Sequence, residues 1–336
     1  MRLSIFSLVQ LFSIFGLAAS AFANDQVGTL TQVQGEVKIF FNPAKVIKGA
    51  PPHVLFEGVY YSIKDAVAGS QVERGNILRT AVGGKARVVY PNGDQFNVGS
   101  GSAYRISWNP ESAKSKTEID LMYGKIRGIV EKGGPRSRMT IRTKTASMGV
   151  RGTDFFIDDG GPGVGTQVSV MRGQVAVNGD PGNSNKKSKD IEVKAGQSAD
   201  IPAVAPAATK APPQVELRAT TQEELKSIQK TSTVKNEIKQ QVAQSEAVND
   251  QIKKLEAKAI ATTVQDIMVS DPKLYAQIQA KAAKNEFTSV DEVNGTTVEQ
   301  LVKVAPKAPV HLKPSQGDLE DLEKDQYKKY FRSEDR

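Results

Sequence analysis

The stretch Ala86-Arg87-Val88-Val89-Tyr90-Pro91-Asn92-Gly93-Asp94 decides how the first half of this chain folds. Its apolar, β-branched run with one charged interruption is the signal of a strand with at least one buried face. Pro91 ends the run, and Asn92-Gly93 is the pair that accepts positive φ at both centres of a tight hairpin turn. A β-turn is therefore predicted over 91–94. The same texture recurs in Val37-Lys38-Ile39-Phe40, Met139-Thr140-Ile141-Arg142, Phe155-Phe156-Ile157, Val168-Ser169-Val170 and Ile191-Glu192-Val193. A glycine is followed by a branched apolar residue at Gly35-Glu36-Val37, Gly75-Asn76-Ile77, Gly124-Lys125-Ile126 and Gly173-Gln174-Val175. Such a turn–strand unit, used repeatedly, fits a stacked or solenoid-like β architecture.

The chain has 336 residues, 39% of them apolar and 24% charged, with no Cys, two His, one Trp and a formal net charge of +8. The length allows about two domains. Without Cys there is no disulfide framework, thiolate zinc site, iron–sulfur cluster, thiol nucleophile or lipidated N-terminal Cys. His53 and His311 lie too far apart for metal-ligand spacing, so neither a metal nor a cofactor is expected. Gly160-Gly161-Pro162-Gly163-Val164-Gly165 lacks the Lys-Ser/Thr of a phosphate loop and the spacing of a dinucleotide fingerprint, and reads as a hairpin loop. Gly99-Ser100-Gly101-Ser102 is not a nucleophile elbow. Asp154, Asp158 and Asp159 form an acidic cluster without the spacing of a calcium loop. The expectation is a non-enzymatic protein.

Met1 and Arg2 precede an apolar segment closed by Ala21-Phe22-Ala23, a small-x-small cleavage pattern. Residues 1–23 are read as a signal peptide; an uncleaved anchor is the alternative. No other stretch is long enough to span a bilayer. The expected location is beyond the inner membrane, periplasmic or envelope-associated, and not as a lipoprotein. This sets nucleic acid aside as a partner.

Residues 24–201 hold 25 of the 28 glycines and read as a β domain with 24 basic against 17 acidic residues. Residues 202–215 form a Pro/Ala-rich linker. Residues 216–305 read as helical, with Thr221 as an N-cap, Asp271-Pro272 starting a second helix over 272–284, and a third within 287–304. Ile238, Val242, Ser245, Val248, Ile252, Leu255 and Ala259 mark an apolar seam over about three heptads. That seam is read either as packing on the β domain or as weak helix-mediated self-association, and the region as spacer or binding element. Residues 306–336 form a charged, partly disordered tail.

Several pieces carry a family resemblance. Glu73-Arg74-Gly75-Asn76-Ile77-Leu78-Arg79-Thr80, Ala86 to Gly93, Leu121-Met122-Tyr123-Gly124-Lys125-Ile126, Ile141 to Phe155, Val168 to Val175 and Val193-Lys194-Ala195-Gly196-Gln197 together resemble the FecR domain across residues 27–201. Asn76 departs from the usual Asp after the glycine, which a turn accepts. The resemblance implies an all-β, solenoid-like domain in the bacterial envelope. Founding members of the family carry a receptor signal to a cytoplasmic sigma factor through an N-terminal cytoplasmic domain and one membrane helix. Neither is expected here, where the β region follows the signal segment.

Two candidate sites emerge. Gly149-Val150-Arg151-Gly152-Thr153 is the most family-specific piece; it is read as structural, with Gly149 and Gly152 supplying backbone freedom or close approach and Arg151 satisfying carbonyls or a carboxylate, and with Arg151 presenting its fork to a partner's anion as the alternative. Arg136, Arg138, Arg142 and Lys144 belong to an acid-free basic stretch, and period two puts residues 138, 142 and 144 on one strand face. That face is either solvated and edge-protecting or docks an anionic envelope polymer or an envelope protein. The functional reading is an envelope binding or scaffold protein; the alternative is a periplasmic signalling component acting through a separate membrane protein.

Overall fold

Glycines at positive φ turn this chain again and again from one β-sheet into another. The computed structural model describes residues 26–45, 53–107, 117–134, 139–161, 163–179, 190–203, 215–235 and 245–312. The signal segment, Ile238 and Val242 of the seam, and the tail from 313 lie outside the described residues.

β1 (Gln26–Gln34) runs in sheet I, and Gly35, at φ 64°, leads into β2 (Val37–Ala44) of sheet II. β3 (His53–Phe56) and β4 (Val59–Asp65) extend sheet II as a hairpin closed by Glu57 and Gly58, both at positive φ. β5 (Gln71–Glu73) returns to sheet I, and Gly75, at φ 79°, precedes β6 (Ile77–Thr80) of sheet II. β7 (Lys85–Val89) and β8 (Gln95–Val98) make a hairpin in sheet I, and β9 (Ala103–Ser107) crosses back to sheet II.

β10 (Thr117–Ile129) serves both sheets: Glu118–Tyr123 pair with β9, and Ile126–Ile129 with β8. The switch is at Gly124, φ 94°, where a Cβ would lie 2.5 Å from the Ser102 Cα. Then follow β11 (Met139–Arg142) and β12 (Ser147–Val150) in sheet II, and β13 (Asp154–Asp159) and β14 (Thr166–Arg172) in sheet I. Gly173, at φ 79°, opens β15 (Gln174–Asn178) and β16 (Ile191–Lys194) of sheet II; Gly196, also at φ 79°, opens β17 (Gln197–Ile201) and β18 (Glu216–Ala219) of sheet I. All four glycines of the turn–strand regularity thus sit at corners between sheets or at strand entries, where the left-handed region favours Gly.

Sheet I has the order β5–β1–β7–β8–β10–β13–β14–β17–β18, and sheet II the order β3–β4–β2–β6–β9–β10–β11–β12–β15–β16. The pair β10–β11 is parallel and the other pairs are antiparallel. Leu30, Ile39, Leu78, Val88, Phe96, Ile119, Ile126, Phe155 and Val168 fill the space between the sheets. Sheet II also curls at one end, bringing Phe56 of β3 within 6.5 Å of Tyr123 of β10, with Phe40 and Tyr61 in the same small core.

The hairpin at 91–94 exists, but with a different turn from the one expected. Gly93 donates to Tyr90 O (2.8 Å), so Pro91 takes the first central position and only Gly93 has positive φ, at 96°. Proline's fixed φ near −65° excludes it from a left-handed position and selects a type I turn followed by a left-handed glycine.

After the linker comes a strand, β18, where a helical region was expected, followed among the described residues by four helices. α1 (Gln222–Ser232) has the Thr221 cap, with Glu224 completing a capping box; α2 (Glu246–Ser270) is the long one. α3 (Pro272–Ala283) begins at Pro272 with Asp271 as its cap, and α4 (Val290–Val304) begins after Ser289. The chain then adds β19 (Val310–His311) beside β18, so sheet I brackets the helices on both sides. The fold is mainly β with a helical C-terminal extension.

Gly124→Ala forces a side chain into a left-handed position against Ser102, and is expected to cost about 1–3 kcal/mol. Thermal unfolding followed by circular dichroism checks this; an unchanged Tm would mean the switch in β10 does not need glycine.

Candidate functional site

The Gly149–Thr153 motif forms one of these corners. Gly149 and Val150 lie in β12, facing Thr140 and Met139 of β11 on one side and Ala176 and Val175 of β15 on the other. Residues 151–153 carry the chain from sheet II into β13 of sheet I. Gly152, at φ 59°, sits where a Cβ would be 2.4 Å from the Lys132 Cα. Thr153 Oγ1 donates to Gln174 O (3.2 Å) and its carbonyl accepts from Val130 N (3.0 Å). Arg151 is exposed.

Of the basic face, Arg136 and Arg138 lie outside the described residues. Arg142 is half-buried in register with Asp120, which is itself ion-paired to Arg105 at 2.8 Å. Lys144 is exposed, with Nζ 3.7 Å from Glu57 of the β3–β4 turn. β11 is paired on both sides, so edge protection is not its task. The acidic cluster is shared out: Asp154 serves Arg127, Asp158 pairs with Lys125 at 2.6 Å, and Asp159 accepts from Gly161 N at 3.2 Å. Burial pushes the Asp159 carboxyl above its usual value. Among the described residues no group of three or more His, Cys, Asp or Glu is placed to hold a metal ion.

The most developed polar feature lies on the outer face of sheet I. Gln32, Arg87, Asn97, Arg127, Phe156, Ser169, Ser198 and Arg218 stand in register across eight strands as one transverse row. Arg172, opposite Asp154, adds a fourth arginine beside it. Arg87, Arg127, Arg172 and Arg218 are 0, 1, 4 and 7% exposed. A buried guanidinium is tolerated only when its donors are met. Arg87 donates to Asn97 Oδ1 (2.9 Å), Gln32 Oε1 (2.8 Å), Glu256 and Asp291. Arg127 grips both oxygens of Asp154 at 2.8 Å and reaches Gln229 and the Asn294 carbonyl. Arg172 binds Asp266 at 2.7 and 2.9 Å, and Arg218 binds Asp200 and Glu224.

Most of these acceptors come from the helices. Gln95 adds a bond to Thr263 Oγ1 (3.0 Å) and accepts one from Asn294 (2.9 Å). Thr262 donates to Asn92 O (2.9 Å), and a Cβ on Gly93 would strike Thr262 Oγ1, so the β7–β8 turn docks directly on α2. Among the described residues, the buried apolar clusters joining helices and sheet I are two: Phe156 and Met171 with Leu225, Ile228 and Val298, and Val89 with Ala259 and Val290. The described part of the seam points the same way, since a Cβ on Gly69 would touch Val248 and Ala259 is buried beside Val89. The sequence reading missed this row; its trace is a lone arginine inside each apolar strand, as in Ala86-Arg87-Val88 and Leu217-Arg218-Ala219.

Residues 76–176 match the family model described as FecR protein. This segment resembles a FecR domain. It contains the Gly149–Thr153 corner and three of the four arginines, whereas Asp266, Asp291, Glu256 and Glu224 come from outside it. No curated protein matches the chain. Two crystal structures of a candidate anti-sigma factor from Parabacteroides distasonis ATCC 8503, at 2.50 and 1.65 Å resolution, are similar at 15% identity with TM-scores of 0.34 and 0.33. The alignment covers 43% of this chain and 59% of theirs. None of the described helices is long and apolar enough to cross a membrane.

Arg127→Ala strands Asp154 in the interior and is expected to destabilise the protein by about 3–5 kcal/mol, measured by urea unfolding; a loss under 1 kcal/mol would mean the site is wet. Glu224 titrates differently. Burial raises its carboxyl, but bonds from Arg218 and Thr221 outweigh burial and leave it below its usual value. A carboxyl held low stabilises the fold above its unfolded pKa, and that contribution is lost as pH falls through the folded value. Glu224→Gln should therefore lower Tm at neutral pH, with the difference from wild type closing below about pH 4.

Proposed function

We propose that this protein is an exported, non-enzymatic binding protein of the bacterial envelope, in which a FecR domain and its helical extension work as one partner-binding unit in the periplasm. The observation that carries the reading is the FecR match over residues 76–176. The helices support it: they are tied to the domain by buried arginine–carboxylate pairs, so the unit presents one defined surface. Within this reading the family favours regulation, through a separate membrane protein, over a scaffold role. The basic end at Arg142 and Lys144, continued in sequence by Arg136 and Arg138, is the proposed contact for an anionic envelope polymer or an acidic envelope protein.

Cross-linked affinity capture from the envelope separates the two roles: a membrane receptor or transducer supports regulation, and glycan or outer-membrane material supports a scaffold. Arg138→Glu/Arg142→Glu is expected to lose retention on envelope fractions at low salt. Unchanged retention would remove the basic face from the proposal.

A further inference from the structure

The outer face of sheet I is an unusual place to bury arginines. Replacing a buried ion pair by apolar residues of similar volume is often neutral or stabilising, so a row of such pairs is a costly way to glue helices to a sheet. What polar pairing supplies is register, and a surface that stays soluble when uncovered. Two further observations bear on this. First, α2, α3 and α4 have a core of their own, in which Ile267, Leu274, Ile278 and Val293 pack with Ile260, Val264, Tyr275 and Phe287, with no sheet residue in the cluster. The three helices thus share packing that does not involve sheet I, in addition to the contacts that Val298, Ala259 and Val290 make with Phe156, Met171 and Val89. Second, after α4 the described chain rejoins sheet I only at its edge, where Val310 and His311 pair with Ala219 and Arg218 and Leu312 N donates to Leu217 O (2.8 Å).

We propose that α2–α4 form a releasable cover over the arginine row of sheet I, and that the uncovered row is the binding face for a helix carrying acidic residues on a partner protein. The dimensions agree with such an occupant. Glu256 and Asp266, which reach Arg87 and Arg172, are ten residues apart on α2, or about 15 Å along the helix. Arg87 on β7 and Arg172 on β14 are four strand spacings apart, about 19 Å across the strands, and carboxylates of the one helix α2 reach both. In the covered state Asp266 and Asp291 mimic the partner's carboxylates. Release leaves Arg87 and Arg172 facing solvent without their helical acceptors, while Asp154 still serves Arg127. The inference deepens the regulatory reading and rests on it, but the experiment reads the cover itself, so its failure leaves the capture result standing.

The chain has no Cys, so nitroxide labels go only where Cys is introduced. Val82→Cys, at a turn 96% exposed, and Val304→Cys, at the end of α4 and 80% exposed, report sheet-to-cover distance in the full chain. The probe is a fluorescein-labelled peptide copying residues 245–271. Asp266→Asn/Asp291→Asn is expected to raise the fraction of long distances at least fivefold and to bind the peptide at least tenfold more tightly than wild type. The apolar replacement Arg172→Met/Asp266→Leu is expected to keep the short distance and to bind peptide no better than wild type. The proposal is overturned if the amide variant keeps the wild-type distances, if it opens without gaining peptide affinity, or if it loses the strand signal in circular dichroism. The last result would make the cover an indispensable part of the β fold.

Discussion

Four guanidinium groups buried on one face of sheet I set the terms for the rest of the molecule. An arginine at 0–7% exposure must meet its donors or its burial destabilises the fold, and strand partners alone meet only some of them. Asn97, Gln32, Asp154 and Asp200 serve from the sheet; Glu224, Gln229, Glu256, Asp266, Asp291 and Asn294 serve from the helices. The helical extension is therefore a source of acceptors and not merely a spacer. Its position is specified with directional bonds, where two small apolar patches alone would permit sliding.

A second constraint makes the row possible. Hairpins stay within a sheet, and corners pass the chain between sheets, several of them at a glycine with positive φ. This winding keeps sheet I in register over eight strands, so residues scattered from Gln32 to Arg218 line up across it. The Gly149–Thr153 motif belongs to this logic: Gly152 lies against the Lys132 backbone and delivers Asp154 to Arg127 two residues later. A motif that reads as family-specific is, in its geometry, a corner that positions an acceptor.

Local features were legible because their causes are local. The strands around Val88 and Ile141, the hairpin loop at 160–165, the Thr221 N-cap and the Pro272 helix start each depend on a few adjacent residues. The turn at 91–94 was legible in place but not in type, since Pro91 and Asn92-Gly93 favour different registers and proline's fixed φ prevails. The basic face was visible as composition, yet the neighbours that temper it, Asp120 beside Arg142 and Glu57 beside Lys144, come from other strands. Strand β18 was hidden because Glu216–Ala219 has little pattern of its own and is a strand through pairing with β17.

By itself the sequence determined that the first half is a β domain wound through recurrent glycine turns, part of which resembles the FecR family, and that a neutral helical segment follows a Pro/Ala-rich linker. Strand period, turn chemistry and caps are properties of neighbouring residues, so they survive without coordinates. Only the tertiary structure decided where the helices go and why. Arg87, Arg127, Arg172 and Arg218 are far apart in the chain, and nothing short of strand register puts them in one band. Their carboxylates lie up to 204 positions away, at Asp291 from Arg87, and only the fold brings the two together.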